Sequence, residues 1–325
     1  MGVASLSGTL AKQLDLDQAT TTGGRPVGNI YYGTSSWTDR TLLASKRFYP
    51  SSADSAADRL RFYAERFPLV EVDSTYYALP SERNAALWTE RTPAHFVFNV
   101  KAFALFTGHA TAVRSLPQEV KELLPAEAHE KARIYRKDLP PEGDDLVWSM
   151  FEAALRPLAD AGKLGAVLFQ FPHWFVRSRR SFDYLRELGE RFPYRIAVEF
   201  RGGGWMEEGK RESTLAQLEE LGMAYVVVDE PQGFGSSTPP VVACTSPDLA
   251  FIRFHGHNAD SWEKPGLTAA ERFRYLYDEQ ELRAWIEPAR ELAQQASQLH
   301  ILMNNCYEDY GVRNAAQIAA MLSGA

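Results

Sequence analysis

The stretch Ile196–Trp205, IAVEFRGGGW, decides the fold. It starts with a period of two: Ile196, Val198 and Phe200 share one face, and Ala197, Glu199 and Arg201 the other. In an antiparallel sheet such charges would face water. Here the stretch lies between two amphipathic helical segments, the pattern of a parallel strand covered on both sides. Glu199 and Arg201 are then held inside, at the C-terminal end of the strand and just ahead of a glycine-rich turn. Charges are rarely buried unless they are paired or functional.

Working outward, the same unit recurs. Apolar runs at Ile30–Thr34, Leu69–Asp73, Phe96–Lys101, Gly165–Gln170, Ala224–Asp229, Ala250–His255 and Leu299–Asn304 complete a set of eight. Helices are expected near Asp54–Phe67, Ser81–Glu90, Val147–Ala161, Ser181–Arg191, Arg211–Leu221, Asp278–Ala296 and Val312–Leu322. Ser81 is placed to cap one of them and Gly222 to end another. Residues 104–148, charged and broken by prolines 117, 125, 140 and 141, read as a helical insertion over one mouth of the fold. The Gly/Ser/Pro loop Pro231–Pro240 reads as lid-like. Eight βα units without GxGxxG after the first strand fit a closed (β/α)8 TIM-type barrel, in the α/β class, better than an open dinucleotide-binding sheet. Residues 1–28 read as a flexible tail and 29–325 as one barrel domain.

Composition narrows the function classes. With 45% hydrophobic residues and 24% charged, the 325-residue chain can bury a large core. A net charge of −7 argues against a general nucleic-acid or membrane-surface binder, while leaving room for a local basic site. Two cysteines, Cys244 and Cys306, without CxxC spacing suggest a reducing cytoplasm. No apolar run is long enough for a membrane span.

Strand parity gathers a site. Opposite the apolar face lie Glu71 and Asp73, Asn99 and Lys101, Gln170, Glu199 and Arg201, Asp229, and Arg253 and His255. In the pair Asn304–Asn305 parity does not choose. Polar groups at the C-terminal ends of barrel strands are where such folds build active sites. The alternative is a purely structural ion-pair network, but burying so many charges usually costs more than packing apolar side chains.

Two chemistries compete. Glu71, Glu199, Asp229 and His255 are hard oxygen donors plus an imidazole, a candidate set for a divalent metal such as Mg²⁺, Mn²⁺ or Zn²⁺. His255-Gly-His257 also reads as a ligand pair, which would add His257. Otherwise Lys101, Arg201 and Arg253 clamp a phosphate or carboxylate, and Glu71, Glu199 and His255 move protons while Asp229 orients a partner. Gln170 and Asn304 would add hydrogen bonds, and Trp37, Tyr76 and Trp205 would wall the pocket. Two carboxylates at glycosidase-like separation would allow sugar-bond hydrolysis. His95 and His300 begin strands, at the wrong end for chemistry, and His109 lies in the insertion. No serine-hydrolase or P-loop motif is present.

The segments YYGTSSW at 31–37, FYP at 48–50, RLRFYAERFPLVEVDSTYYALP at 59–80, FVFNVK at 96–101, LFQFP at 168–172, AVEFR at 197–201, VVVDEP at 226–231, IRFHG at 252–256 and NN at 304–305 resemble the YecE-like family. The resemblance runs from about residue 31 to 322. It implies a TIM-barrel fold and supplies no reaction, since that family is a domain of unknown function. Residues 1–28 fall outside it, and Gly202–Gly204 replaces a more polar link. The expectation is an enzyme acting on a small anionic (phosphorylated or carboxylated) or polyhydroxylated substrate. The alternatives are a metal-dependent phosphodiesterase or sugar isomerase, and a non-catalytic small-ligand sensor.

Overall fold

The computed structural model describes residues 23–324, so most of the expected tail lies outside the described residues. Eight parallel strands close a barrel in chain order: β1 Ile30–Thr34, β2 Leu69–Val72, β3 Val97–Lys101, β4 Leu164–Gln170, β5 Ile196–Glu199, β6 Ala224–Asp229, β7 Ala250–Phe254 and β8 Leu299–Met303, with β8 returning to β1. Contacts with the barrel start ahead of residue 29. The Arg25 carbonyl accepts from Tyr32 Oη at 3.0 Å, and the Gly24 carbonyl lies 3.0 Å from His95 Nε2.

The two faces of the strands form two separate apolar sets. Leu69, Val97, Leu168, Ala197, Val226 and Phe251 pack inside the barrel. Val70, Phe98, Phe169, Val198, Val227 and Ile252 pack outward against the helices. This is the two-residue alternation of a closed barrel whose interior is filled. Gly165 is one place where the filling leaves no room: an added Cβ would stand 2.5 Å from Asn99 Oδ1 and 2.7 Å from His300 Cε1.

Several helices follow local rules visible in the sequence. The Ser81 hydroxyl accepts from the Asn84 amide, capping Glu82–Glu90, and Ser178 likewise caps Arg179–Arg191. Two expectations need correction. The helix expected from Val147 begins six residues earlier, at Pro141, and runs to Asp160; proline fits the first turn, where its missing N–H is no loss. The helix expected over Asp278–Ala296 is two helices, Glu279–Arg283 and Ile286–Gln295. Pro288 cannot donate to the carbonyl of Ala284, so a continuous helix would lack a bond there. The insertion after β3 carries short helices at Gln118–Glu122 and Ala126–His129, and also a small antiparallel pairing of Thr111–Ala112 with Arg133–Ile134. Among the described residues no helix is long and apolar enough to cross a membrane.

Candidate functional site

At the C-terminal ends of the strands the inward parity positions carry charge instead of hydrocarbon. Glu199, the last residue of β5, is their hub and is 0% exposed. Its Oε1 accepts from Gln170 Nε2 at 2.5 Å, and lies 3.1 Å from both Arg201 Nε and His255 Nε2. Its Oε2 accepts from the Arg253 guanidinium at 2.6 Å. Burial alone would raise this carboxyl; Arg253, His255 and Arg201 overcome that and hold it well below the ordinary range.

Arg253, 1% exposed, bridges two carboxylates. Its second terminal nitrogen donates to Glu71 Oε1 at 2.6 Å, to Ser35 Oγ at 3.2 Å and to Asn304 Oδ1 at 3.4 Å. A guanidinium so committed is a strut beneath the pocket floor, unlike the anion clamp expected from the sequence. Arg201 is committed too, donating to Glu230 Oε2 at 2.5 Å and lying 5.1 Å above the Trp262 ring.

His255 is neutral at ordinary pH. Burial and Arg201 push its pKa down to about 3, against the pull of Glu199. The network also assigns its tautomer. Nε2 carries the proton toward Glu199, and Nδ1 accepts from Asn304 Nδ2 at 2.8 Å. Parity left Asn304 and Asn305 undecided. Asn304 joins this site, whereas Asn305 turns outward to the Tyr275 carbonyl.

The remaining lumen groups are less tightly bound. Glu71 is 0% exposed, yet its Oε2 has no hydrogen-bond partner among the described residues. Burial raises its pKa, against Arg253 and Lys101. Lys101, half-buried at the end of β3, has its Nζ 5.0 Å from the Tyr76 ring centroid and forms no ion pair within 4.0 Å of a described carboxylate. Burial and the charge of Arg253 lower its pKa, against the pull of Glu71, Glu199 and Asp73. Asp73, just beyond β2, is raised by burial. His109, in the insertion, reaches the rim after all, 5.3 Å from Tyr76 and 5.4 Å from Trp174, and burial with Lys101 lowers its pKa to about 4.

Asp229 is the expectation the structure corrects. Val226 and Val228 belong to the inner set, so Asp229 faces outward. It accepts from Trp285 Nε1 at 2.5 Å, from Tyr277 Oη at 3.2 Å and from His257 Nε2. The positive φ of Gly256, +84°, turns the chain that brings His257 there. The lumen carboxylate of this strand end is Glu230, one residue later. Its other oxygen accepts from the Thr238 amide at 2.7 Å, and burial lifts its pKa to about 7, against Arg201. Three successive valines give no alternation to read, which hid Glu230. The signal available was its position two residues beyond Val228.

Two further assignments shift. Trp205 is 2% exposed, stacks on Phe200 at 4.2 Å and supports β5 from behind, with no place in the pocket wall. Trp37 is also buried, edge-to-face with Trp88. A cavity of about 600 Å³ opens beside Arg201, lined by His173, Ser236, Trp262, Glu263, Arg272 and Phe273. Sequence reasoning did not single out any of these six. They come from loops that only the closed barrel brings together.

The four candidate metal ligands are not one constellation. Asp229 lies on the other side of β6 from Glu199, and the acceptor positions of Glu199 are filled by cations and amides. Among the described residues no group of three His, Cys, Asp or Glu side chains converges as a metal site.

Comparison with known proteins agrees with the fold. UPF0759 protein YunF of Bacillus subtilis strain 168 is 32% identical over 300 residues, 90% of this chain and 94% of that protein. A solved DUF72 family protein from Thermotoga maritima MSB8 is 31% identical with a TM-score of 0.68, covering 90% of this chain and 98% of its own. One from Enterococcus faecalis V583 is 26% identical with a TM-score of 0.71, covering 90% and 95%. The family model described as protein of unknown function DUF72 matches residues 31–325, and the chain belongs to that family.

Proposed function

We propose that this protein is an enzyme acting on a small polyhydroxylated or singly anionic substrate at the C-terminal mouth of the barrel. Within DUF72 we assign it to the YecE-like proteins on the motifs quoted above, and to the cytoplasm on its two free cysteines. The observation that carries the reading is Lys101. Arg201 and Arg253 are spent on internal carboxylates, whereas the Lys101 ammonium has none within ion-pair distance among the described residues. A half-buried cation left over from an otherwise paired network is a site for a ligand's negative or electron-rich oxygen.

The chemistry follows from the carboxyl groups. Glu230, with a pKa of about 7, exchanges protons near neutral pH, and burial raises Glu71 as well, whereas Glu199 stays charged and fixes Arg201, Arg253 and His255. A metal-dependent phosphodiesterase or isomerase is less favoured, because a divalent ion at Glu199 would have to displace guanidinium groups. A non-catalytic ligand sensor is the second reading, supported by the saturation of Glu199. Calorimetric titration of wild type and Lys101→Met with sugar phosphates, sugar acids and free polyols tests the proposal, with NMR to follow conversion of whatever binds. The expected result is a ligand that binds at least tenfold more weakly to the variant and is converted by wild type. Equal affinity for both proteins would overturn the assignment of Lys101, and binding without conversion would favour the sensor.

A further inference from the structure

Lys101 invites a more specific chemistry than charge pairing. It ends β3 on the inward face. Glu71 lies on the neighbouring strand directly across from Asn99, so Lys101 stands two residues further toward the mouth on the same face. The Lys101 carbonyl is pinned by Thr75 Oγ1 at 2.6 Å, which fixes the backbone from which the side chain extends. Tyr76 covers the ammonium from one side. Glu71 Oε2 is buried without a partner among the described residues, while Glu71 Oε1 is tied to Arg253. A half-buried lysine therefore stands one strand away from a buried carboxyl that has one oxygen committed and, among the described residues, one without a partner.

Resting on the substrate reading above, we infer that Lys101 forms an imine with the carbonyl carbon of its substrate, which places the substrates among small aldehydes and ketones such as open-chain sugars and keto acids. A lysine serves as this kind of nucleophile when it is desolvated or set beside another cation. Burial and Arg253 supply both conditions and increase the fraction of free amine. The step balances. Glu71, beyond direct hydrogen-bond reach of the ammonium, takes one proton from Lys101 through a bridging solvent water, and the freed amine attacks the carbonyl carbon as the C=O π pair moves to oxygen. One proton passes from nitrogen to that oxygen, giving a carbinolamine. Glu71 then returns its proton to the hydroxyl, water departs, and the nitrogen lone pair forms the C=N bond. The products are a protonated imine and one water, with no oxidant or reductant consumed. The positive imine then acts as an electron sink for the adjacent carbon, where aldol cleavage, proton transfer or decarboxylation proceeds.

Reductive trapping tests this directly on the full chain. Wild-type protein is incubated at pH 7 with dihydroxyacetone phosphate or pyruvate, reduced with sodium borohydride, digested and mapped by mass spectrometry. The expected result is an adduct at Lys101 forming at least tenfold faster than at exposed Lys210, and at least tenfold more slowly in Glu71→Gln. Circular dichroism confirms that this variant is folded, and the wild-type Lys101-to-Lys210 ratio needs no variant. Lys101 labelled by neither probe, or no faster than Lys210, overturns the imine. If calorimetry nevertheless finds a ligand that depends on Lys101, the site stands and only the imine falls. If calorimetry finds none either, both fall.

Discussion

Arg253 and Glu199 form a 2.6 Å ion pair across the lumen from β7 and β5, two strands separated by β6, with 1% and 0% of their side chains exposed. Two charges so deep are tolerated because each has more than one partner. Arg253 also holds Glu71, and Glu199 also accepts from Gln170, Arg201 and His255. Such a network contributes little net stability over an apolar core, but breaking one member exposes the cost of the others.

The first prediction follows. Arg253→Met strands Glu199 and Glu71 without their shared cation and lowers unfolding free energy by about 3–5 kcal/mol, the range for removing one partner of a buried pair. Urea unfolding measures it. Adding Glu71→Gln to that variant recovers part of the loss, because one of the two stranded charges is gone. A loss that stays under about 1 kcal/mol would mean that water reaches the pair, as at exposed salt bridges.

The second concerns the sixth strand. Asp229→Asn perturbs His257, Tyr277 and Trp285 on the outer face and leaves ligand affinity within about twofold, since a site that far from the lumen contacts adds independently. Glu230→Gln removes the charge that fixes Arg201 beside the 600 Å³ cavity and weakens ligand binding about tenfold or more, the scale of one charge-assisted hydrogen bond. Calorimetry on the two variants separates them, and the reverse order of effects would return Asp229 to the site.

How much of this was legible in the sequence depends on where alternation exists. Glu71-Val72-Asp73 and Ile252-Arg253-Phe254-His255 alternate, and so put Glu71, Arg253 and His255 on the lumen face where the structure has them. Val226–Val228 does not alternate, and the polar pair that follows it offered no face, so Asp229 was taken for Glu230. Trp205 shows a different limit. Its neighbours Phe175 and Phe182 come from the chain between β4 and β5, so no local pattern could tell a pocket wall from a packed support. Arg253 was found as a residue and misjudged as a ligand, since sequence shows which charges share a lumen but not which of them are already paired.

The third prediction is steric. At Gly165 a methyl group would meet Asn99 Oδ1 at 2.5 Å, Val97 Cγ1 at 2.6 Å and His300 Cε1 at 2.7 Å, all in the barrel floor. The first and last of these are tied to each other by a 3.1 Å hydrogen bond, so they cannot simply move aside. Gly165→Ala should cost about 1–3 kcal/mol, the usual price of overpacking a filled core. Thermal unfolding with an unchanged or raised midpoint would show slack in this layer.

The last prediction is a pH dependence. His255 and His300 are fully buried, and burial pushes each folded-state pKa down to about 3. The unfolded state of each binds its proton near pH 6.5, so between pH 6.5 and 3 the unfolded chain holds more protons and stability falls as pH falls. At pH 5 each histidine lowers stability by about 2 kcal/mol relative to pH 8, from roughly 1.4 kcal/mol per unit. Glu230 works in the opposite direction: its folded pKa of about 7 exceeds the unfolded value, so acidification below pH 7 stabilises the folded state until about pH 4.5. His109, lowered to about 4, works with the two buried histidines, while Glu71, Asp73 and His257, all raised, work with Glu230. Urea unfolding at pH 8 and pH 5 measures the sum, and single variants separate its parts. His300→Gln should lower the pH 8 midpoint minus the pH 5 midpoint, and Glu230→Gln should raise it. A His300→Gln variant with the wild-type pH slope would mean that this imidazole is already protonated in the folded barrel, and that the floor beneath the site is wet.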